Sequence, residues 1–261
     1  MRRFLLALLL SLLTVGARGD ILLVGVGQPP TVAGSTLLNN LISYWTLDEA
    51  SGTRADSVGG NTLTDNNTVT SIAGVVSNAA VFTRANSEYL SHVSNAALQT
   101  GDISFTVATW FRKDSCASGS GEHVLGSKYG ASKEWLLYSG FWNGNQCNVL
   151  LAVSSDGTTF NSQVEKTGVS GTAWHFVVAW HDATANTINV QVDNGTVASQ
   201  AYSSGLTATS EDFALGKQYD VGEYLNGRLD EFGFWKRTLT AAEKTCLYNS
   251  GSGRTYPFVG C

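Results

Sequence analysis

Two consecutive acid pairs, Asp48–Glu49 and Asp230–Glu231, carry the chemistry that would matter most in this 261-residue chain. Two carboxylates about 5–5.5 Å apart hydrolyse a glycosidic bond with retention, and a wider pair does so with inversion. On a strand such a pair reads as acids two or four positions apart, because side chains alternate between faces. Both pairs here are adjacent, so their members are expected on opposite faces. In the run 226–235 that places Leu229, Glu231, Gly233 and Trp235 on one face, and Asp230, Phe232 and Phe234 on the other. No hydrolytic pair follows, and the chain is expected not to be an enzyme. His175 and His181 share a strand face but are six residues apart, about 20 Å, too far to hold one metal ion. His92 and His123 have no ligand-like neighbours, and all four histidines read as turn or surface residues. No Ser–His–Asp or Cys–His arrangement is legible, since a triad is defined by geometry.

Aromatic residues offer a different chemistry, stacking on sugar rings. Trp45, Trp110, Trp174, Trp180 and Trp235 lie in alternating runs and read as core. Trp142 lies instead in YSGFWNGNQC, with Tyr138 and Phe141. Exposed rings there, beside the amides of Asn143 and Asn145, would bind a sugar by stacking plus hydrogen bonding. Tyr129, also near a Gly-rich turn, is a second candidate. The plainer alternative is that this loop folds over the body of the protein.

The elements that must position these residues are strands. Short alternating runs separated by turns recur every ten to fifteen residues or so. The clearest is SFTVATWFR, with Phe105, Val107, Thr109 and Phe111 on one face and Thr106, Ala108 and Trp110 on the other. INVQVDNGTVASQAY carries an Asp193-Asn194-Gly195 turn between its halves, a strong hairpin signal. The one credible helix is LTAAEKTCLYNSG, opened by Thr240 with Glu243 three positions on, a capping box, and expected to end at Gly251. This pattern predicts an all-β fold, a two-sheet antiparallel sandwich with one short C-terminal helix.

Composition agrees. Charged residues make up 14%, Gly numbers 28 and Pro 3, which favours strands and tight turns. The net charge of −5 becomes more negative once Arg2 and Arg3 are removed, and an acidic surface disfavours nucleic acid. Residues 1–19 read as a secretory signal, with an apolar stretch too short for a spanning helix of roughly 20 residues. Secretion with no membrane span after cleavage is therefore expected; the competing readings are an uncleaved N-terminal anchor and a virion surface. Residues 20–36 read as a linker, 37–250 as the globular domain and 251–261 as a tail. Four cysteines in an exported chain indicate disulfides, and Cys116–Cys147 with Cys246–Cys261 is the simplest of three pairings. The second would tie the tail back to the helix.

Six segments in order carry a family resemblance: SYWTLDEASGTRADSVGGNTLT, NAAVFTRANSEYLSH, GDISFTVATWF, TAWHFVVAWHD, VQVDNGTV and NGRLDEFGFWKRTLTAAE. Together they resemble the laminin-G-like jelly roll of the concanavalin A-like lectin/glucanase superfamily, over about residues 37–250. The resemblance implies a binding role rather than one ligand. It also implies a structural Ca²⁺ at a sheet edge, with Asp56 and Asp230 as ligands and Asn61 as a neighbour, together with Glu49 and Glu231. The alternative is that Asp56 caps a turn and Asp230 pairs with Arg228 or Arg237. The function expected is a secreted, non-catalytic module that binds a glycan or cell-surface polysaccharide in adhesion. Its first alternative is a structural or decoration protein of a virion or extracellular assembly that binds other structural proteins, and a glycoside hydrolase is a minor one.

Overall fold

The computed structural model describes residues 35–116, 123–140, 147–169, 171–218 and 223–261. The expected leader, most of the linker, and Phe141, Trp142, Asn143 and Asn145 lie outside them. The first half of the chain forms β1 (Leu41–Trp45), β2 (Thr64–Asn66), β3 (Thr70–Ala73), β4 (Asn78–Phe82), β5 (Tyr89–His92), β6 (Phe105–Lys113), β7 (His123–Tyr129) and β8 (Lys133–Ser139). It continues with β9 (Asn148–Val153), β10 (Ser162–Thr167), β11 (His175–Asp182), β12 (Thr187–Val192), β13 (Ala198–Ala201) and β14 (Phe213–Leu215). The short β15 (Lys217–Gln218) and β16 (Glu223–Tyr224) precede β17 (Gly227–Trp235) and the helix α1 (Ala241–Tyr248).

One sheet has the order β13-β12-β11-β6-β17-β4-β3, with β1 also on β17, and the other runs β10-β9-β8-β7-β14-β5-β2. The pairings within them are antiparallel, giving a two-sheet jelly-roll sandwich. Alternation along β6 sends Phe105, Val107 and Phe111 between the sheets, where they meet Trp45, Trp135, Phe213, Phe232 and Phe234. Each such buried ring or branched chain contributes about 1.5–3 kcal/mol. Ala108 and Trp110 face the other way, into a second layer with Tyr44, Phe176, Trp235, Leu247 and Phe258. There α1 and the C-terminal tail cover the sheet, and the Cys246–Cys261 disulfide closes the tail onto the helix. Trp174 and Trp180 are only partly buried against this layer.

Local signals formed as expected at two places. Asp193 and Asn194 both take positive φ, as the turn joining β12 to β13 requires. Thr240 Oγ1 accepts from Glu243 N–H while Glu243 accepts from Thr240 N–H, completing the capping box. The helix stops sooner than expected, at Asn249 rather than Gly251, because Asn249 adopts the left-handed conformation itself (φ 46°). Asparagine tolerates that region better than most residues.

The acid pair departs from strand parity. Between Asp230 and Gly233 the β17–β6 register slips by a bulge, and Glu231 has φ +54°. Phe232 and Phe234 still enter the central core, but Asp230 does not join them. Its Oδ2 accepts the N–H groups of Val75 and Val76 in the β3–β4 turn, at 2.8 and 2.9 Å. Glu231 lies against Tyr44, Trp110 and Trp235 beneath the tail. An extra residue in one strand shifts every later side chain by one place, which simple alternation does not register. Arg228 pairs with Asp114 and Arg237 with Glu243, so neither partners Asp230. His123 and His181 are also buried on strands rather than exposed.

Candidate ligand groove

The outward face of the second sheet is built by cross-strand rows. Antiparallel register sets Leu136 beside Ala152 and Ala152 beside Gln163, and sets Tyr138 beside Leu150 and Leu150 beside Glu165. The intervening residues Trp135, Leu137, Leu151, Val153 and Val164 point into the central core. Period two thus gives β8 and β9, with Val124 and Tyr129 of β7, a second apolar surface on the opposite face, bordered by the polar Gln163 and Glu165 of β10.

A turn between β9 and β10 raises a wall beside this surface. Asp156 Oδ1 accepts the N–H groups of Thr158 and Thr159 at 2.7 and 2.9 Å, and these bonds hold its carboxyl below the usual range. Gly157 supplies the positive φ that the turn needs (76°). Lys133 N–H donates to Gly157 C=O at 2.8 Å, tying the turn to β8. The turn delivers Phe160 edge-on to Tyr129, with ring centres 5.0 Å apart. Lys133 Nζ lies 5.0 Å from the centre of the same Tyr129 ring.

These parts enclose an open groove of about 600 Å³, lined by Tyr129, Tyr138, Phe160, Asn161, Gln163 and Gln218 among others. Tyr138 Oη reaches Gln163 Oε1 at 3.4 Å. On the far side of Tyr129 lies a smaller compartment of about 160 Å³ over β5 and β14, with Tyr89, Ser91, Glu211, Asp212 and Lys217 in its lining. Lys217 Nζ sits 4.1 Å above the Tyr89 ring. The wall of this compartment is anchored from beneath. Buried Lys128 donates to Ser94 Oγ and to Glu211 C=O, while Glu134 accepts from Thr100 and Thr209. Burial lowers the Lys128 ammonium's pKa, and Glu134 acts against that.

Of the aromatic residues expected to bind sugar, Tyr129 and Tyr138 therefore line one groove, but they are buried (8% and 3% exposed) rather than exposed as expected. The sequence reading missed Phe160, Asn161 and Gln163, because TTFNSQVEK looks like one strand, and Gln218, which ends the short run FALGKQ. The Asp156-Gly157 turn signal just upstream could have marked Phe160 as a loop residue.

The residues considered for calcium do not share one role. Asp56 uses both carboxylate oxygens on backbone: Oδ1 on Tyr44 and Val58, Oδ2 on Gly59 and Asn61, all at 2.9–3.0 Å. The Asn61 side chain donates to Ser43 Oγ and accepts from Asn95. Both side chains hold a loop. Asp230 differs, because its Oδ1 is buried and has no partner. Burial pushes Asp230 up to about 7 and Glu231 up to about 9, with repulsion from nearby acids adding to both. Among the described residues no three His, Cys, Asp or Glu side chains gather around one point.

Cys116 and Cys147 are two part-buried thiols joined by a side-chain hydrogen bond, not by the expected disulfide. Gly171 N–H donates to Cys116 Sγ at 3.3 Å, so a backbone donor shares that sulfur. No helix among the described residues is long and apolar enough to cross a membrane.

Residues 84–243 match a family model described as the concanavalin A-like lectin/glucanases superfamily. No curated protein sequence matches the chain. Among solved structures, the binding domain of Paraclostridial Mosquitocidal Protein 1 aligns with TM-score 0.65 and 14% identity, over 82% of this chain and 53% of that one. Domain 4 of AbnA, a GH43 extracellular arabinanase from Geobacillus stearothermophilus, in complex with arabinotriose, aligns with TM-score 0.58 and 16% identity, over 82% and 98%. The binding domain of botulinum neurotoxin DC in complex with SialylT gives TM-score 0.61 and 11% identity, over 82% and 52%. The chain thus spans about half the length of the toxin binding domains. At these identities the likeness establishes the shared sandwich.

Proposed function

The chain belongs to the concanavalin A-like lectin/glucanase superfamily, and on that premise we propose that it is a secreted, non-catalytic module that binds a glycan in the groove beside Tyr129. The observation that carries this is the lining: three aromatic rings, Tyr129, Tyr138 and Phe160, interleaved with the side-chain amides of Asn161, Gln163 and Gln218. Rings present flat apolar faces to the C–H faces of a sugar, and amides offer both a donor and an acceptor to its hydroxyls. A concave, largely apolar site with a few convergent polar groups is the usual form of a small-ligand site. Two solved sandwiches of this kind carry arabinotriose or SialylT, which supports a sugar as the ligand class.

The non-catalytic reading rests on the acids. Asp230 is buried against the β3–β4 turn and Glu231 beneath the tail, where a glycosidic bond does not reach them. A structural calcium is proposed at Asp230, through its unpartnered Oδ1, with further oxygens from neighbouring groups or water completing the six to eight such an ion takes.

A glycan array probed with the full chain tests the function. Retention of at least one glycan class at tens of micromolar or tighter is expected. No retention of any glycan would overturn the reading and favour the protein-binding alternative, as for the neurotoxin DC binding domain in complex with rat synaptotagmin II.

A further inference from the structure

Gln218 lies where the two compartments of the groove meet. It lines the larger one, its chain neighbour Lys217 lines the smaller, and Tyr129 lines both. The strand β15 that carries them is fixed against β7, because Ser127 Oγ donates to Lys217 C=O at 2.7 Å. Gln218 also pairs with Glu223 across the β15–β16 ribbon. Its side chain is held in place, with 6% of the residue exposed.

Yet Gln218 Oε1 is buried without a hydrogen-bond partner. Proteins rarely keep such a group in the interior, and where they do it calls for an explanation. Here the residue borders a cavity already lined with rings and amides.

The charges around the groove narrow the ligand further. Among the described residues lining the groove, the larger compartment has a single charged one, Lys133, whose ammonium stands over Tyr129. The smaller has the carboxylates of Glu211 and Asp212 against the one ammonium of Lys217. An anionic chain entering the smaller compartment would meet net repulsion there, whereas a neutral chain would not.

We propose that Gln218 is the specificity-determining residue of the groove: its amide hydrogen-bonds a hydroxyl of a neutral sugar unit lying beside Tyr129, and the glycan continues past Tyr129 into the smaller compartment. This rests on the glycan-binding reading above and specifies its ligand as an uncharged oligomer rather than a single acidic sugar.

Affinity electrophoresis of the full chain through gels containing arabinan, xylan, mixed-linkage glucan or polygalacturonate separates the possibilities. Wild type is expected to be retarded by at least one neutral polymer and not by polygalacturonate. Gln218→Met should weaken that retardation about tenfold, as loss of one hydrogen bond does, while the melting temperature stays level or rises, because an unsatisfied polar group has been removed. Gln218→Glu, which keeps the length, should also weaken binding and serves if the methionine variant does not fold. Wild-type binding by either variant, with binding weakened in Phe160→Ala, would overturn the role of Gln218 and leave the groove standing. A lower melting temperature with unchanged binding would mark Gln218 as purely structural. Retardation by polygalacturonate alone would overturn the neutral class, and no retardation by any polymer would overturn both readings.

Discussion

Phe160 meets Tyr129 edge-on, at 78° between ring planes and 5.0 Å between centres, so a loop residue and a strand residue thirty-one positions apart form one corner of the groove. Tyr129 is buried, while Phe160 is half-buried at the rim. Phe160→Ala should therefore remove a stacking face at little cost to the fold. The expected loss is about 1 kcal/mol of binding, or five- to tenfold in Kd, with a melting temperature within about 2 °C of wild type. Titration of the best array ligand into both proteins measures it, and equal affinities would take Phe160 out of the site.

The two thiols give a second prediction. Cys116 and Cys147 already share a hydrogen bond, and oxidised glutathione should convert them to a disulfide, releasing two molecules of reduced glutathione. Intact mass under non-reducing conditions should fall by about 2 Da for this bond, and thiol titration should find no free sulfhydryl. On the loop-closure model the bond contributes about 3–4 kcal/mol. Two titratable thiols persisting after oxidation would show that the pair does not close.

Glu243 supports the helix in two ways, through the capping box and through its ion pair with Arg237. Although burial acts to raise it, the Arg237 guanidinium and the Thr240 N–H together hold its carboxyl down at about 2. A depressed acid stabilises the folded state above its unfolded value of about 4.3, and that contribution is lost as pH falls through about 2. Melting curves from pH 5 to pH 2 should show wild type losing its advantage over Glu243→Gln across that interval. Thr240→Ala, which removes the cap alone, should cost about 1 kcal/mol at neutral pH.

Calcium can be tested without knowing the ligand. Chelator-treated protein should melt higher on addition of millimolar Ca²⁺, and isothermal titration should show heat that disappears in Asp230→Asn. Asp56→Asn should not abolish that heat, because Asp56 is occupied by four backbone N–H groups. No heat and no melting shift would remove the ion.

Much of the fold was legible because its signals are local. The alternation of Phe105, Val107 and Phe111, the Asp193-Asn194-Gly195 turn and the Thr240–Glu243 box each depend on residues two to four positions apart. The bulge at Glu231 was not legible, since a strand's own pattern does not show when its partner lets one residue slip. Tyr129 and Tyr138 were found as aromatic residues near turns, whereas Gln218 had no local mark at all.

The sequence alone determined a two-sheet sandwich with a capped C-terminal helix, because backbone periodicity and capping act over one or two turns of chain. Which residues share the groove was decided by tertiary structure. Antiparallel pairing sets Leu136, Ala152 and Gln163 in one row, and β15 brings Gln218 against β7 from ninety residues away. The apolar core that drives that assembly is non-directional, so spacing along the chain carries no record of which side chains meet on the outer face.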